Sequence, residues 1–232
     1  MDEHFDAIVH TAASVGYDYD FETFKRNNID ATSNIIEFAK ANGATKIIYL
    51  SSTSVYGRAE RIIHENTDIV NFNHYGLTKY VGELIVSSQK QIESLCLRLP
   101  GVMGKGSHGV LLHSFAAKML IDAPITIHSP EFQITNFIHV NDLAEFISLM
   151  LERDFISDTL VLSCHKGMKM IDIVDRMKLK LNSKSKIIIS ESQNKPFTIN
   201  SSKAKAVGWV SMSPIEIIDD YCATLMTENR RS

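Results

Sequence analysis

The chain has 232 residues, 44% of them hydrophobic and 22% charged, with a net charge of −3 when its nine histidines are taken as neutral. That balance is ordinary for a soluble globular protein and suits one large domain, or one domain with a smaller annex. No basic stripe argues for nucleic acid: the nearest candidates, residues 178–186 and Arg230-Arg231, read as a solvated helix and tail.

A chain of this size buries about 70% of its unfolded surface, so it needs no disulfide or metal staple. Cys96, Cys164 and Cys222 lie far apart in apolar contexts and read as buried thiols of a reducing cytosol. The first residues are acidic and carry no apolar signal region, and no apolar run approaches the ~20 residues of a membrane span. The expectation is a cytoplasmic protein with neither a membrane nor a nucleic-acid partner.

In chain order, residues 5–10 read as a short buried strand followed by the small residues Thr11, Ala12 and Ala13. Residues 21–41 carry helical periodicity, with Ile29, Ile35, Ile36, Phe38 and Ala39 as the apolar stripe, stopped by Asn42-Gly43. A second strand spans 46–50, a second helix 74–91 and a third strand 94–99, closed by Pro100-Gly101. Alternating strands and helices, with apolar rather than alternating strands, indicate a parallel α/β sheet covered on both faces.

Beyond residue 100 the pattern is less regular. Helices are expected at 110–121, 141–151 (with Asn141 as N-cap), 171–181 and 214–226, and extended segments at 125–128, 136–140, 159–163 and 186–189. Residues 1–100 form the first unit in this reading. Residues 101–232 form a small substrate-facing lobe interleaved with late sheet strands.

Two motifs carry chemistry. Tyr75 and Lys79 stand at i and i+4 of the second helix, on one face. An ammonium beside a phenol lowers its pKa from about 10 by roughly 1–3 units, toward use as a general acid or base. The second strand runs into the hydroxyl-rich Ser51-Ser-Thr-Ser-Val-Tyr-Gly57, which could place a serine on the same substrate oxygen. By contrast, Gly104-Lys-Gly-Ser-His-Gly109 matches G-x-G-x-x-G literally but in the wrong setting. Pro100-Gly-Val-Met parts it from its strand, and no carboxylate closes the next one, so it reads as a flexible loop near a substrate. The histidines show no metal spacing, His139 reads as a satisfied core histidine, and no nucleophile elbow is present.

Taken together, these segments resemble the extended branch of the short-chain dehydrogenase/reductase superfamily, the NAD-dependent epimerase/dehydratase family that acts largely on nucleotide sugars. Ala7-Ile-Val-His-Thr-Ala-Ala13 resembles the family's fourth strand and cofactor-facing turn, and Asn28 its helix asparagine. Counting back from Val55-Tyr-Gly57 places the catalytic hydroxyl at Ser52, and Tyr75-Gly-Leu-Thr-Lys79 matches Y-x-x-x-K. Leu97-Arg-Leu-Pro-Gly-Val-Met-Gly104, Phe137-Ile-His-Val-Asn-Asp-Leu-Ala144 and Ser202-Lys-Ala-Lys-Ala-Val-Gly-Trp209 resemble later family segments.

The resemblance implies a partial Rossmann-like, doubly wound parallel sheet with a small C-terminal lobe. It implies hydride transfer at a sugar carbon with NAD or NADP, Ser52, Tyr75 and Lys79 being catalytic and Lys79 lowering the Tyr75 pKa. Thr11, Ala12, Ala13, Asn28, Leu50, Ser51, Tyr75, Lys79, Leu99, Pro100 and Val102 would hold the cofactor, and Ser52, Thr53, Tyr75 and Gly101 the substrate. A homodimer through the two early helices is also implied.

Three departures qualify it. The chain begins at the family's fourth strand, so the glycine turn for the pyrophosphate and the ribose-reading residue are not in it, and weak NAD(H) binding by the chain alone is expected. Thr53 and Ser54 replace the Asp-Glu pair of 4,6-dehydratases, which points to an epimerase or reductase. Thr135 and Gly101 replace a substrate-site arginine and asparagine. The alternative is a non-catalytic homologue serving as a binding or oligomerisation module. The first strand, normally central, becomes a sheet edge prone to association.

Overall fold

The computed structural model describes residues 4–15, 19–57, 61–70, 72–155, 157–191 and 196–229. Four parallel strands form the main sheet in the order β1 (Ala7–His10), β2 (Lys46–Ser52), β4 (Glu93–Leu99), β9 (Asp158–Val161). The register sets His10 beside Tyr49 and Ser52 beside Leu99, so the C-terminal ends of these strands share one rim. β1 pairs only with β2 among the described residues, which makes it an edge, as the sequence implied.

Between β1 and β2 run α1 (Phe21–Phe24), a π turn (Lys25–Asp30) and α2 (Ala31–Ala41). After β2 come a 3-10 turn (Thr53–Tyr56), β3 (Arg61–Ile63) and α3 (His74–Ser87). Strand side chains alternate between faces. Ile47, Tyr49 and Cys96 pack with Ile36 and Ala39 of α2 and Val86 of α3. Ile48, Leu95 and Leu97 pack on the other face with Phe146 and Met150 of α5 (Val140–Leu151) and with Trp209 after α7 (Ser202–Ala206). Trp209 meets Phe146 edge-on at 5.4 Å, and its indole N–H donates to the Ser163 carbonyl at 2.9 Å.

The remaining elements are β5 (Gly101–Met103), α4 (Leu111–Leu120), β6 (Ile125–Ile127), β7 (Gln133–Ile134), β8 (Phe137–His139), β10 (Met168–Lys169), α6 (Met170–Lys180), β11 (Ile187–Ile189), β12 (Phe197–Ile199) and α8 (Pro214–Asn229). Their strands pair two by two, β5 with β8, β6 with β11, β12 with β3 and β10 with β7. A second core of Phe115, Met119, Ile173, Met177, Ile217 and Tyr221 joins α4, α6 and α8.

Two local expectations are corrected. The helix expected over 21–41 is interrupted by the π turn. The Ala31 amide bonds the Arg26 carbonyl five residues back, and Thr32 Oγ1 donates to the Asn28 carbonyl at 2.6 Å. Asn141 is not the cap of α5: the helix starts at Val140 with His139 as N-cap. Asp220 holds Nε2 of His139 at 3.0 Å, and Nδ1 accepts the Asn141 amide at 3.2 Å. Both ring nitrogens of this buried histidine are thus satisfied, in line with its expected structural role.

Candidate active site

Ser52 ends β2 in an extended conformation, and its Oγ accepts the Ser54 amide at 3.1 Å, opening the 3-10 turn. Asn73 caps α3, its Oδ1 accepting the Gly76 amide at 2.8 Å. The helix begins directly against the turn because residue 76 is glycine: a Cβ there would lie 2.2 Å from the Ser54 carbonyl oxygen. This close approach sets Tyr75, at the start of the helix, beside the strand end that carries Ser52.

Both residues line a cavity of about 280 Å³ at the rim of the sheet, with Thr53, Leu99, Pro100 and Gly101. The cavity also takes in Val15, Ser54, Asn73, His108, Gly109 and Val110, which the sequence reading did not select. His108 and Gly109 belong to the glycine loop, which therefore borders this cavity. Gly104 has φ +149°, and a Cβ there would meet Val140 Cγ1 at 2.5 Å, so the loop's first glycine is a packing requirement.

Not all expected site residues reach the cavity. Thr11, Ala12 and Ala13 follow β1 at the same rim of the sheet but do not line it. Leu50 packs partly buried against one core face, and Val102 sits in β5 opposite Ile138. Ser51 is buried, donating to Glu83 Oε1 at 2.5 Å. Asn28, in the π turn, is a tie between elements. Its Nδ2 donates to Thr78 Oγ1 at 3.0 Å and to the Ser14 carbonyl at 3.1 Å, while its Oδ1 accepts the Ser14 amide at 2.7 Å. Thr78 Oγ1 in turn donates to the Tyr75 carbonyl at 2.9 Å, so Asn28 anchors the helix turn that carries Tyr75. Thr135 accepts the Ile199 amide at 2.7 Å and stitches β12 to the segment after β7.

Lys79 lies behind the cavity wall, 2% exposed, with its ammonium 4.0 Å from the centre of the Tyr49 ring. It makes no hydrogen bond among the described residues. Burial pulls its pKa down to about 8, with the Glu83 carboxylate pulling the other way. Burial pushes the Tyr75 phenol above its ordinary value, and the neighbouring Ser52 hydroxyl opposes that push. The expectation that Lys79 lowers the Tyr75 pKa is therefore corrected: the ammonium turns to the π face of Tyr49, and desolvation governs Tyr75.

His10 closes the back of the site, Nε2 3.0 Å from Thr32 Oγ1 and its ring 5.4 Å from that of Tyr49. Burial, reinforced by the Lys79 charge, lowers its pKa to about 4. The folded value lies below the unfolded value of about 6.5, so the unfolded chain binds the extra proton as pH falls. Stability is expected to drop between pH 6.5 and 4, by roughly 3 kcal/mol at most. Melting by circular dichroism at pH 7 and 4.5 checks this: His10→Gln should lose clearly less than the parent, and equal losses would contradict it.

The three cysteines are buried, and burial pushes each thiol up to about 12, so none is poised as a nucleophile. Among the described residues no cluster of ligands could hold a metal ion, and no helix is long and apolar enough to cross a membrane. Glu83 and Arg98, both buried beneath the site, were also missed in sequence. The available signal was an arginine inside the otherwise apolar strand β4 and a glutamate one turn beyond Lys79.

A sequence model of the NAD dependent epimerase/dehydratase family matches residues 1–161. The chain belongs to this family. Relatives include the uncharacterized UDP-glucose epimerase YtcB of Bacillus subtilis, 27% identical over 157 residues, covering 64% of this chain and 50% of that protein. Another is UDP-glucuronate 4-epimerase 1 of Arabidopsis thaliana, 29% identical over 154 residues, covering 61% of this chain and 36% of the relative. This chain thus spans half or less of either family member. The fold matches the Bacillus cereus UDP-glucuronic acid 4-epimerase, solved with UDP-glucuronic acid and NAD, at a TM-score of 0.82 and 22% identity, covering 96% of this chain and 76% of that one. The α/β class and Rossmann-like parallel sheet expected from the sequence are borne out.

Proposed function

We propose that the chain carries the proton-transfer half of an NAD-dependent sugar epimerase or reductase. The observation that carries this reading is that Ser52 and Tyr75 line one cavity at the C-terminal rim of a parallel sheet, where ligands of such sheets bind. Tyr75 takes the proton from a sugar hydroxyl as its carbon is oxidised and returns it on reduction. Ser52 donates to the same oxygen and keeps it in line with the phenol. Burial holds Tyr75 protonated at neutral pH, so it stands ready to protonate a keto oxygen.

The residues present fit the nicotinamide-riboside end of the cofactor. Lys79 offers a buried ammonium without a hydrogen-bond partner among the described residues, suited to ribose hydroxyls. Leu99 and Pro100 supply apolar cavity wall, with Thr11, Ala12 and Ala13 on the same rim. NAD, when bound, takes up and returns the hydride. Thr53 and Ser54, at the positions of the dehydratases' acidic pair, favour epimerisation or reduction over dehydration.

The substrate is nucleotide-linked in this reading. A second cavity of about 360 Å³ shares Ser54, Gly101 and Val110 with the first, and a third of about 280 Å³ shares Leu111, Ile134, Asn136 and Met170 with the second. Together they make a groove from Tyr75 to Phe197 and His128, room for a sugar at one end and an aromatic base at the other. Incubation with millimolar NAD and a panel of hexoses, free and uridine-diphosphate-linked, tests this by product chromatography. Conversion of linked sugars alone is expected; equal conversion of free sugars would overturn the nucleotide-linked assignment.

A further inference from the structure

The buried pair of Glu83 and Arg98 takes no part in the proton transfer, yet it touches every element that presents a reacting group. The two side chains are 5% and 7% exposed. Glu83 stands on α3 one turn beyond Lys79 and two beyond Tyr75. Its Oε1 accepts from Ser51 Oγ at 2.5 Å and from Arg98 Nε at 3.0 Å, and its Oε2 accepts from Arg98 Nη2 at 2.7 Å. Arg98 Nη1 donates to Tyr56 Oη at 2.9 Å and to the Glu65 carbonyl at 3.0 Å. Thus the carboxylate grips the residue next to Ser52, and the guanidinium grips the end of the turn that carries Thr53 and Ser54.

A buried ion pair costs desolvation and is weak evidence for stability by itself. What it supplies here is registry, because bidentate geometry between a planar fork and a carboxylate tolerates little sliding. We infer that Glu83 is a positioning residue: it locks the strand end bearing Ser52 against the helix that bears Tyr75 and, one turn before Glu83, Lys79. This rests on the proposed proton-transfer reading of Ser52, Tyr75 and Lys79. The groups facing Lys79 are His10 of β1, Tyr49 of β2, Cys96 of β4 and Glu83 of its own helix. Among them Glu83 is the one carboxylate, and its charge opposes the effect of burial on Lys79.

The titrations use the full chain without ligand, so they stand whether or not the enzyme reading does. Glu83→Gln alone would strand a buried guanidinium, so the informative variant is Glu83→Leu/Arg98→Met, which removes both charges together. Carbon-13 NMR of labelled lysine follows the Lys79 titration, and labelled tyrosine that of Tyr75. In the folded double variant the Lys79 midpoint is expected to fall by about 1 unit or more. An unchanged midpoint would overturn the role of Glu83.

Ser51→Ala removes one hydrogen bond and leaves the ion pair, so it serves if the double variant does not fold. It is expected to raise the Tyr75 midpoint, as the Ser52 hydroxyl that opposes the effect of burial is no longer held beside the phenol, and to lower kcat with little change in KM. A Tyr75 titration identical to that of the parent would overturn the clamp. Absence of turnover in the parent itself would instead refute the enzyme reading and leave the two titrations to decide this inference.

Discussion

Tyr75→Phe is expected to lower kcat by about 10²–10⁴-fold, the usual contribution of a positioned general acid or base. KM should stay within a few-fold, because the phenylalanine ring keeps the contact that Tyr75 makes with Phe24, 6.2 Å between ring centres. Stability should change by only about 1 kcal/mol, the typical size of a single-substitution effect, since one hydroxyl at the cavity wall is removed. Steady-state rates and thermal melts of parent and variant are the measurements. A variant that retains a tenth or more of the activity would remove Tyr75 from the chemistry and leave the cavity a binding site.

Lys79→Met is expected to move stability and activity in opposite directions. The folded pKa of about 8 lies below the unfolded value of about 10.4, so the unfolded chain holds the proton more firmly between those two values. Stability therefore rises as pH rises through that window, and at neutral pH the buried charge costs roughly 3 kcal/mol. Methionine fills similar space without a charge. It forfeits the contact with the Tyr49 face, worth up to about 2 kcal/mol when desolvated. The net expectation is a gain of about 1 kcal/mol, a melting point a few degrees higher, and no further rise in stability between pH 8 and 10. Turnover should be lost with the ammonium proposed to hold the nicotinamide ribose. A destabilised Lys79→Met would mean that the charge is compensated in the fold more fully than burial and Glu83 account for.

Part of the candidate site was legible because it is written in short-range spacing. Tyr75 and Lys79 are one helical turn apart, so pattern placed them on one helix, whereas Ser52 among its neighbouring hydroxyls stands out only through the family resemblance; the fold sets Ser52 and Tyr75 on one cavity. What spacing could not reveal is direction. The i and i+4 rule brings Lys79 to the same helix face as Tyr75, but the ammonium follows the aromatic face of Tyr49, which arrives from β2, thirty residues away in sequence. The same limit hid the Asn28 tie, which depends on a π turn and on Thr78 fifty residues later.

Strand and helix order survived the passage from sequence to structure well, and helix ends less so. α5 starts one residue before the asparagine expected to cap it, because Asp220 of α8 fixes the ring of His139 and frees its other nitrogen to serve as the cap. The run of adjoining cavities was out of reach of any local pattern: Phe197 of β12, Met170 of α6 and Val110 just before α4 lie far apart in sequence. Arg98 was the missed opportunity, since a charge in an apolar central strand calls for a buried partner.

The most direct test of Tyr75 as the proton-transfer group is the pH dependence of a single turnover. Parent and Tyr75→Phe chains are mixed with millimolar NAD and a convertible nucleotide-linked sugar, and reduced nicotinamide is followed by absorbance. For the parent, the oxidation rate should rise with pH toward the elevated phenol pKa, since the alcohol proton needs a phenolate to receive it. Tyr75→Phe should give a rate at least about 10²-fold lower, without that rise. The same pH profile in both chains would contradict the assignment.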